Sequence, residues 1–183
     1  DAAVIVNPNL PGSRFPSRNL AGVVVAFYLL AALGHRLESE GRHGAARVPS
    51  RYLDLVALGT VADVVPLDHN NRVLVDQGLR RIRAGQTVPG IEALLRQSGR
   101  QLARTVSADL GFVAGPRINA AGRLRSAHLA LDLLLCDDAA ESGIEGLIES
   151  QGGGDVELDL SGDGDGFSIG GNHFLHSCRR NVI

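Results

Sequence analysis

Between residues 52 and 67 the chain reads YLDLVALGTVADVVPL, and its apolar positions fall on almost every side of a 3.6-residue helix. That pattern predicts an element buried from both sides rather than a surface helix. Two carboxylates interrupt it. On one helix Asp54 and Asp63 stand nine residues, or about 180°, apart, whereas Gly59 and Asp63 are one turn apart on a shared face. Ahead of this stretch, residues 2–6 form a short β-branched run ended by NPNLPG, which reads as a strand feeding a loop. Residues 20–37 then read as a long apolar helix, with Ser17 or Asn19 as its cap. Residues 38–50 are polar and Gly-rich, an exposed connection.

Beyond the central stretch, a turn leads to a helix over about residues 71–83. Pro89 opens a shorter helix that Ser98 and Gly99 close. A further helix is predicted to begin near Ser107, followed by a Gly-Pro break and a compact Gly/Ala-rich segment. Ser126 is then placed to cap a last apolar helix over 129–136. Residues 151–183 are rich in Gly and Asp and predict a flexible tail. Within it Asp159, Ser161, Asp163 and Gly164 match the opening of a calcium loop, but the twelfth position, where a bidentate Glu is required, is Gly170. His173, His176 and Cys178 lack the spacing of a recognised metal site.

The chain has 183 residues, 44% of them apolar, enough to fold one full domain or a domain plus part of another. No run of 18 purely apolar residues supports a membrane span. The first residues carry neither Met nor an export signature, which suggests a piece of a longer polypeptide. Cys136 and Cys178 stand in unrelated contexts, for which a reducing cytoplasm is the simplest setting. Eighteen basic residues against twenty acidic ones neither favour nor exclude a nucleic-acid partner. Every basic residue is Arg; biased gene composition accounts for that, although Arg is also the side chain best shaped to grip phosphate. Arg80, Arg81 and Arg83 form a basic edge that suits phosphates or, equally, a helix C-terminus.

Chemistry is most readily placed on three features. Asp63 lies in an apolar helix, where a charge needs a metal, a cation or several hydrogen bonds, although capping the turn before Pro66 accounts for it as well. GPRINAAGR, residues 115–123, sets Arg117 and Arg123 around Asn119, which suits either a phosphate grip or a tight helix junction. Asn70 and Asn71 follow the central helix.

NPNLPGSRFPSRNLAGVVVAFYL, LDLVALGTVADVVPLDHNNRVLVDQGLRRIRAG and DLGFVAGPRINAAGRL, in that order, resemble the RecJ exonucleases of the DHH phosphoesterase superfamily over about residues 1–138. The resemblance implies an α/β fold. Residues 1–138 would be the helix-rich C-terminal part of a DHH-type parallel-sheet domain, and residues 139–183 a divergent Gly/Asp-rich tail. It also implies 5′-to-3′ hydrolysis of single-stranded DNA with Mg²⁺ or Mn²⁺, in the cytoplasm, with single-stranded-DNA-binding protein as a further partner. Asp63 in GTVAD would be the metal-binding, catalytic carboxylate, and Arg117, with Asn119 and Arg123, the phosphate contact. The Asp-His-His for which the superfamily is named is absent from this sequence. The segment alone is therefore expected to be inactive. The alternatives are a catalytically dead nucleic-acid-binding or protein-interaction fragment, and a DHH phosphatase or oligoribonuclease.

Overall fold

The computed structural model describes residues 4–124 and 127–136. Ser126 and residues 139–183, with the calcium-like run, His173, His176 and Cys178, fall outside them. Helices α1 (Gly22–Ser39), α2 (Leu53–Ala62), α3 (His69–Arg83) and α4 (Pro89–Gln97) are followed by α5 (Ser107–Asp109), a π-helical turn (Leu110–Ala114), α6 (Gly115–Leu124) and α7 (Ala127–Leu135). Three 3₁₀ turns, Ala45–Arg47, Pro49–Tyr52 and Leu102–Arg104, complete the connections.

The expected α/β class is corrected by this architecture: the described residues are helical and contain no strand. Val4, Ile5 and Val6 keep an irregular backbone and are 80%, 65% and 55% exposed. Their β-branched side chains favour an extended chain, but a strand becomes a strand only when a neighbour completes its hydrogen-bond ladder. No second β-forming segment lies among the described residues to do so.

Helix α2 fulfils the prediction drawn from its all-round apolarity. Val56 joins Ala21, Val24 and Leu74 in one cluster, whereas Ala57 and Leu58 belong to a larger core built from α3, α4, Leu110, Ala114 and α7. Glycines set the closeness of both interfaces. A Cβ at Gly59 would stand 2.8 Å from Val23 Cγ1 of α1, and one at Gly78 would strike the Leu53 carbonyl and the Ala57 methyl. The side-chain-free spot beside Asp63 is thus occupied by α1.

Helix α1 contrasts with α2. Only Val24 and Gly34 are buried along its 18 residues, and Leu29, Leu30 and Leu33 remain about half exposed. By length and composition alone it could cross a membrane.

Two local readings change. The Gly-Pro break is absent, and helical backbone continues from Ser107 to Leu124. Pro116 lacks an N–H and crowds the carbonyl four residues back; the wider π-helical turn before it relieves both demands. The second change is at the end of α2, which stops at Ala62 although the apolar pattern runs on to Leu67.

Candidate functional site

Asp63 is the C-cap of α2. Its backbone N–H donates to Gly59 O at 3.0 Å, and its side chain is exposed with no ion-pair partner among the described residues. This is the wrong end of a helix for a carboxylate. The last turn carries unpaired carbonyls and a partial negative charge, and α2 has no basic residue there to offset it. A carboxylate so placed costs about 0.3–1 kcal/mol. Asp54 occupies the favourable first turn instead. It is fully buried, and its Oδ2 accepts from Thr87 Oγ1 and the Val88 N–H, both at 2.8 Å, which ties α2 to the start of α4. Asp54 is therefore a structural tie, and Asp63 an exposed group with no side-chain partner among the described residues.

A second cost follows at once. Val64 has φ +53°, the one positive value for a non-glycine among the described residues. A β-branched side chain in that conformation adds roughly 1–3 kcal/mol of strain.

The surroundings of this turn hold it in place. Asp68 caps α3 by accepting the Asn71 N–H at 3.0 Å, and it accepts from Ser17 Oγ at 2.6 Å and Asn19 Nδ2 at 3.5 Å. Ser17 and Asn19, expected to cap α1, thus serve α3. Asn71 is fully buried and donates to Asn19 O and Pro66 O, both at 2.8 Å. Asn70 accepts from the Tyr28 hydroxyl. The signal for this cap was in the sequence: Asp68 directly precedes the 3.6-residue pattern of α3. Burial on its own would raise the Asp68 carboxyl, but the bonds from Ser17, Asn71, Asn19 and Asn70 outweigh it and hold the group below the ordinary 3.8. A depressed carboxyl stabilises the fold fully above its unfolded value and loses that contribution as pH falls through the folded one. The tie between residues 17–19 and α3 should therefore be intact above about pH 4 and release on further acidification. Amide exchange at Asn71 across an acid titration measures it.

Helix α6 meets α2 at its end. A Cβ on Gly115 would lie 3.1 Å from the Ala62 Cβ, so the start of GPRINAAGR packs one residue from Asp63. Arg117 is half-buried, and its Nη1 donates to Val113 O at 2.9 Å within its own helix. One of its five N–H donors is used in this way. Asn119 is exposed. The helical backbone sets Arg117 and Asn119 roughly 200° apart, and places Arg123 one turn after Asn119. The Arg123 side chain lies outside what is described. In the basic edge, Arg80 pairs with Asp76 at 2.8 Å and Arg83 donates to Thr105 O at 2.8 Å.

Several oxygen or nitrogen donors are needed to hold a Mg²⁺ or Mn²⁺ ion. Among the described residues no three of His, Cys, Asp and Glu stand together, so the donors present do not make a metal centre. Asp63 offers one carboxylate.

No protein-family model matches the chain. It is 54% identical over 145 residues to the single-stranded-DNA-specific exonuclease RecJ of Dickeya dadantii, covering 77% of this chain and 25% of that protein. To the RecJ of Escherichia coli K12 it is 52% identical over 147 residues, covering 78% and 26%. The chain thus spans about a quarter of the length of these curated relatives. Among solved structures, RecJ from Thermus thermophilus in complex with Mn²⁺ superposes with a TM-score of 0.62 at 40% identity, over 76% of this chain and 20% of that one. A manganese-bound exonuclease RecJ gives 0.60 at 39% identity, over 80% and 33%.

Proposed function

We propose, because this chain belongs as a partial-length member to the RecJ family of DHH phosphoesterases, that it is a helical segment of a metal-dependent 5′-to-3′ exonuclease. That enzyme would act on single-stranded DNA in the cytoplasm, in repair and recombination, with single-stranded-DNA-binding protein as a partner. The observation that carries the reading is Asp63, a carboxylate held at a helix end that disfavours it, next to the start of α6. In the complete enzyme Asp63 supplies one ligand to a Mg²⁺ or Mn²⁺ centre whose other donors come from outside the described residues. An ion completed by those other donors would supply a means of activating water and of offsetting charge on the scissile phosphate, with Asp63 as one of the residues that would hold it. Arg117, Asn119 and Arg123 of α6 are the residues that would contact DNA phosphates. One carboxylate cannot assemble that centre, so the chain by itself should not hydrolyse DNA. The second reading is a nucleic-acid-binding or protein-interaction segment without catalysis.

The two readings separate in a full-length RecJ exonuclease carrying residues 1–138 of this chain in place of its own matching segment. Arg117→Ala in that graft deletes a terminal-phosphate contact but no metal ligand. Hydrolysis of 5′-phosphorylated single-stranded DNA should fall by about 10-fold or more, roughly the 1.5–3 kcal/mol of a charge-assisted hydrogen bond, and 5′-hydroxyl DNA should be affected less. An equal loss on both ends rejects the phosphate-reading role. A well-folded graft that binds DNA but hydrolyses neither substrate favours the second reading.

A further inference from the structure

The hairpin between α2 and α3 is pinned at both ends. On the α2 side the Asp63 and Val64 N–H groups donate to Gly59 O at 3.0 Å and Val61 O at 3.1 Å. On the α3 side Pro66 O accepts twice, from the Asp68 N–H at 3.0 Å and from the side chain of buried Asn71 at 2.8 Å. Asn71 also holds Asn19 O, so the N-terminal segment braces the same point. Only Val64 and Val65 remain to turn the chain. Val65 packs in the α1–α2 cluster, and Val64, about half exposed, takes the left-handed conformation.

Glycine is the usual residue at a left-handed helix end, because it has no Cβ to strain. Val64 stays about half exposed, so its burial repays only part of that strain. What a β-branched residue does supply is restriction, since it has far fewer accessible backbone and side-chain states than glycine. We propose that Val64, between the end of α2 and the Pro66 carbonyl that Asn71 holds, is a positioning residue that restricts the turn immediately after Asp63 and so steadies that carboxylate. This rests on the reading of Asp63 as a functional carboxylate.

The test uses the graft described above and this chain itself. Val64→Gly should fold at least as stably as the parent, yet weaken Mn²⁺ affinity, read by calorimetry, about 10-fold, with a parallel fall in kcat. Val64→Asn, which tolerates the left-handed region, should restore most of both. Asn71→Asp removes the two amide donors and should act in the same direction as Val64→Gly, but its own destabilisation makes Val64→Gly the deciding variant. Unchanged Mn²⁺ affinity and kcat in Val64→Gly, with both lost in Asp63→Asn, overturns the positioning role while leaving the reading of Asp63 intact. If Asp63→Asn changes neither quantity, the reading of Asp63 fails and the positioning role with it. An NMR dihedral for Val64 outside the left-handed region, measured in this chain, overturns the positioning role independently of any activity.

Discussion

Asp63→Asn, introduced into a full-length RecJ exonuclease carrying this segment, should reduce hydrolysis of 5′-phosphorylated single-stranded DNA by at least about 100-fold. Loss of groups that merely orient a metal ligand costs about 10–100-fold, and loss of a ligand charge should cost no less. Size and shape are conserved and the side chain is exposed, so folding should not suffer. Asp54→Asn is the matched control. It weakens a buried carboxylate that accepts from Thr87 and Val88, so it should lower stability while leaving the rate per folded molecule nearly unchanged. Steady-state rates beside thermal unfolding of both variants check the contrast. A rate within a few-fold of the parent for Asp63→Asn rejects the catalytic role.

The largest effect on stability is expected at Gly78, where α3 lies against α2. A methyl there would strike the Leu53 carbonyl oxygen and the Ala57 methyl, and backbone cannot swing aside as a flexible side chain can. Alanine gains about 1 kcal/mol over glycine in helix propensity. Overpacking of about 3 kcal/mol exceeds that gain, leaving a net loss near 2 kcal/mol and a melting temperature roughly 4–8 °C lower. Gly22→Ala, in open space at the first turn of α1, is the control and should not destabilise. Thermal denaturation followed by circular dichroism decides. A Gly78→Ala variant as stable as the parent would mean that α2 and α3 do not pack this closely.

What was legible in the sequence follows from the range of the forces involved. Helix α1 and helix α4 declared themselves because their apolar spacing, the opening Pro89 and the closing Ser98-Gly99 pair are all local signals. The double burial of α2 could be read from its all-round apolarity. Its end was legible only as a turn somewhere before Pro66, because Val64, Val65 and Leu67 continue the apolar pattern and no glycine marks the stop at Ala62. Of the strand expected over residues 2–6, the described residues 4–6 form none, for the complementary reason: β-branched composition is local, but a ladder partner is not. The Ser17–Asp68 bond joins residues 51 apart, so both residues were visible and their connection was not. Pro116 was read as a break because sequence alone does not show that a π-helical turn would absorb it. Asp63 drew attention for a reason that geometry sharpened. A charge in an apolar run is conspicuous, and its place at the C-terminus of α2 makes it a cost rather than a cap.

If Asp63 serves the proposed function, it does so at the expense of stability. Equilibrium urea unfolding of this chain beside its Asp63→Asn variant tests it most directly, with no catalytic assay involved. Removing a carboxylate from the negative end of α2 should stabilise the chain by about 0.3–1 kcal/mol at low ionic strength, with the gain shrinking as salt is added. A variant no more stable than its parent at low ionic strength would contradict that cost, since Asn can cap a turn about as well as Asp and only the charge has been removed.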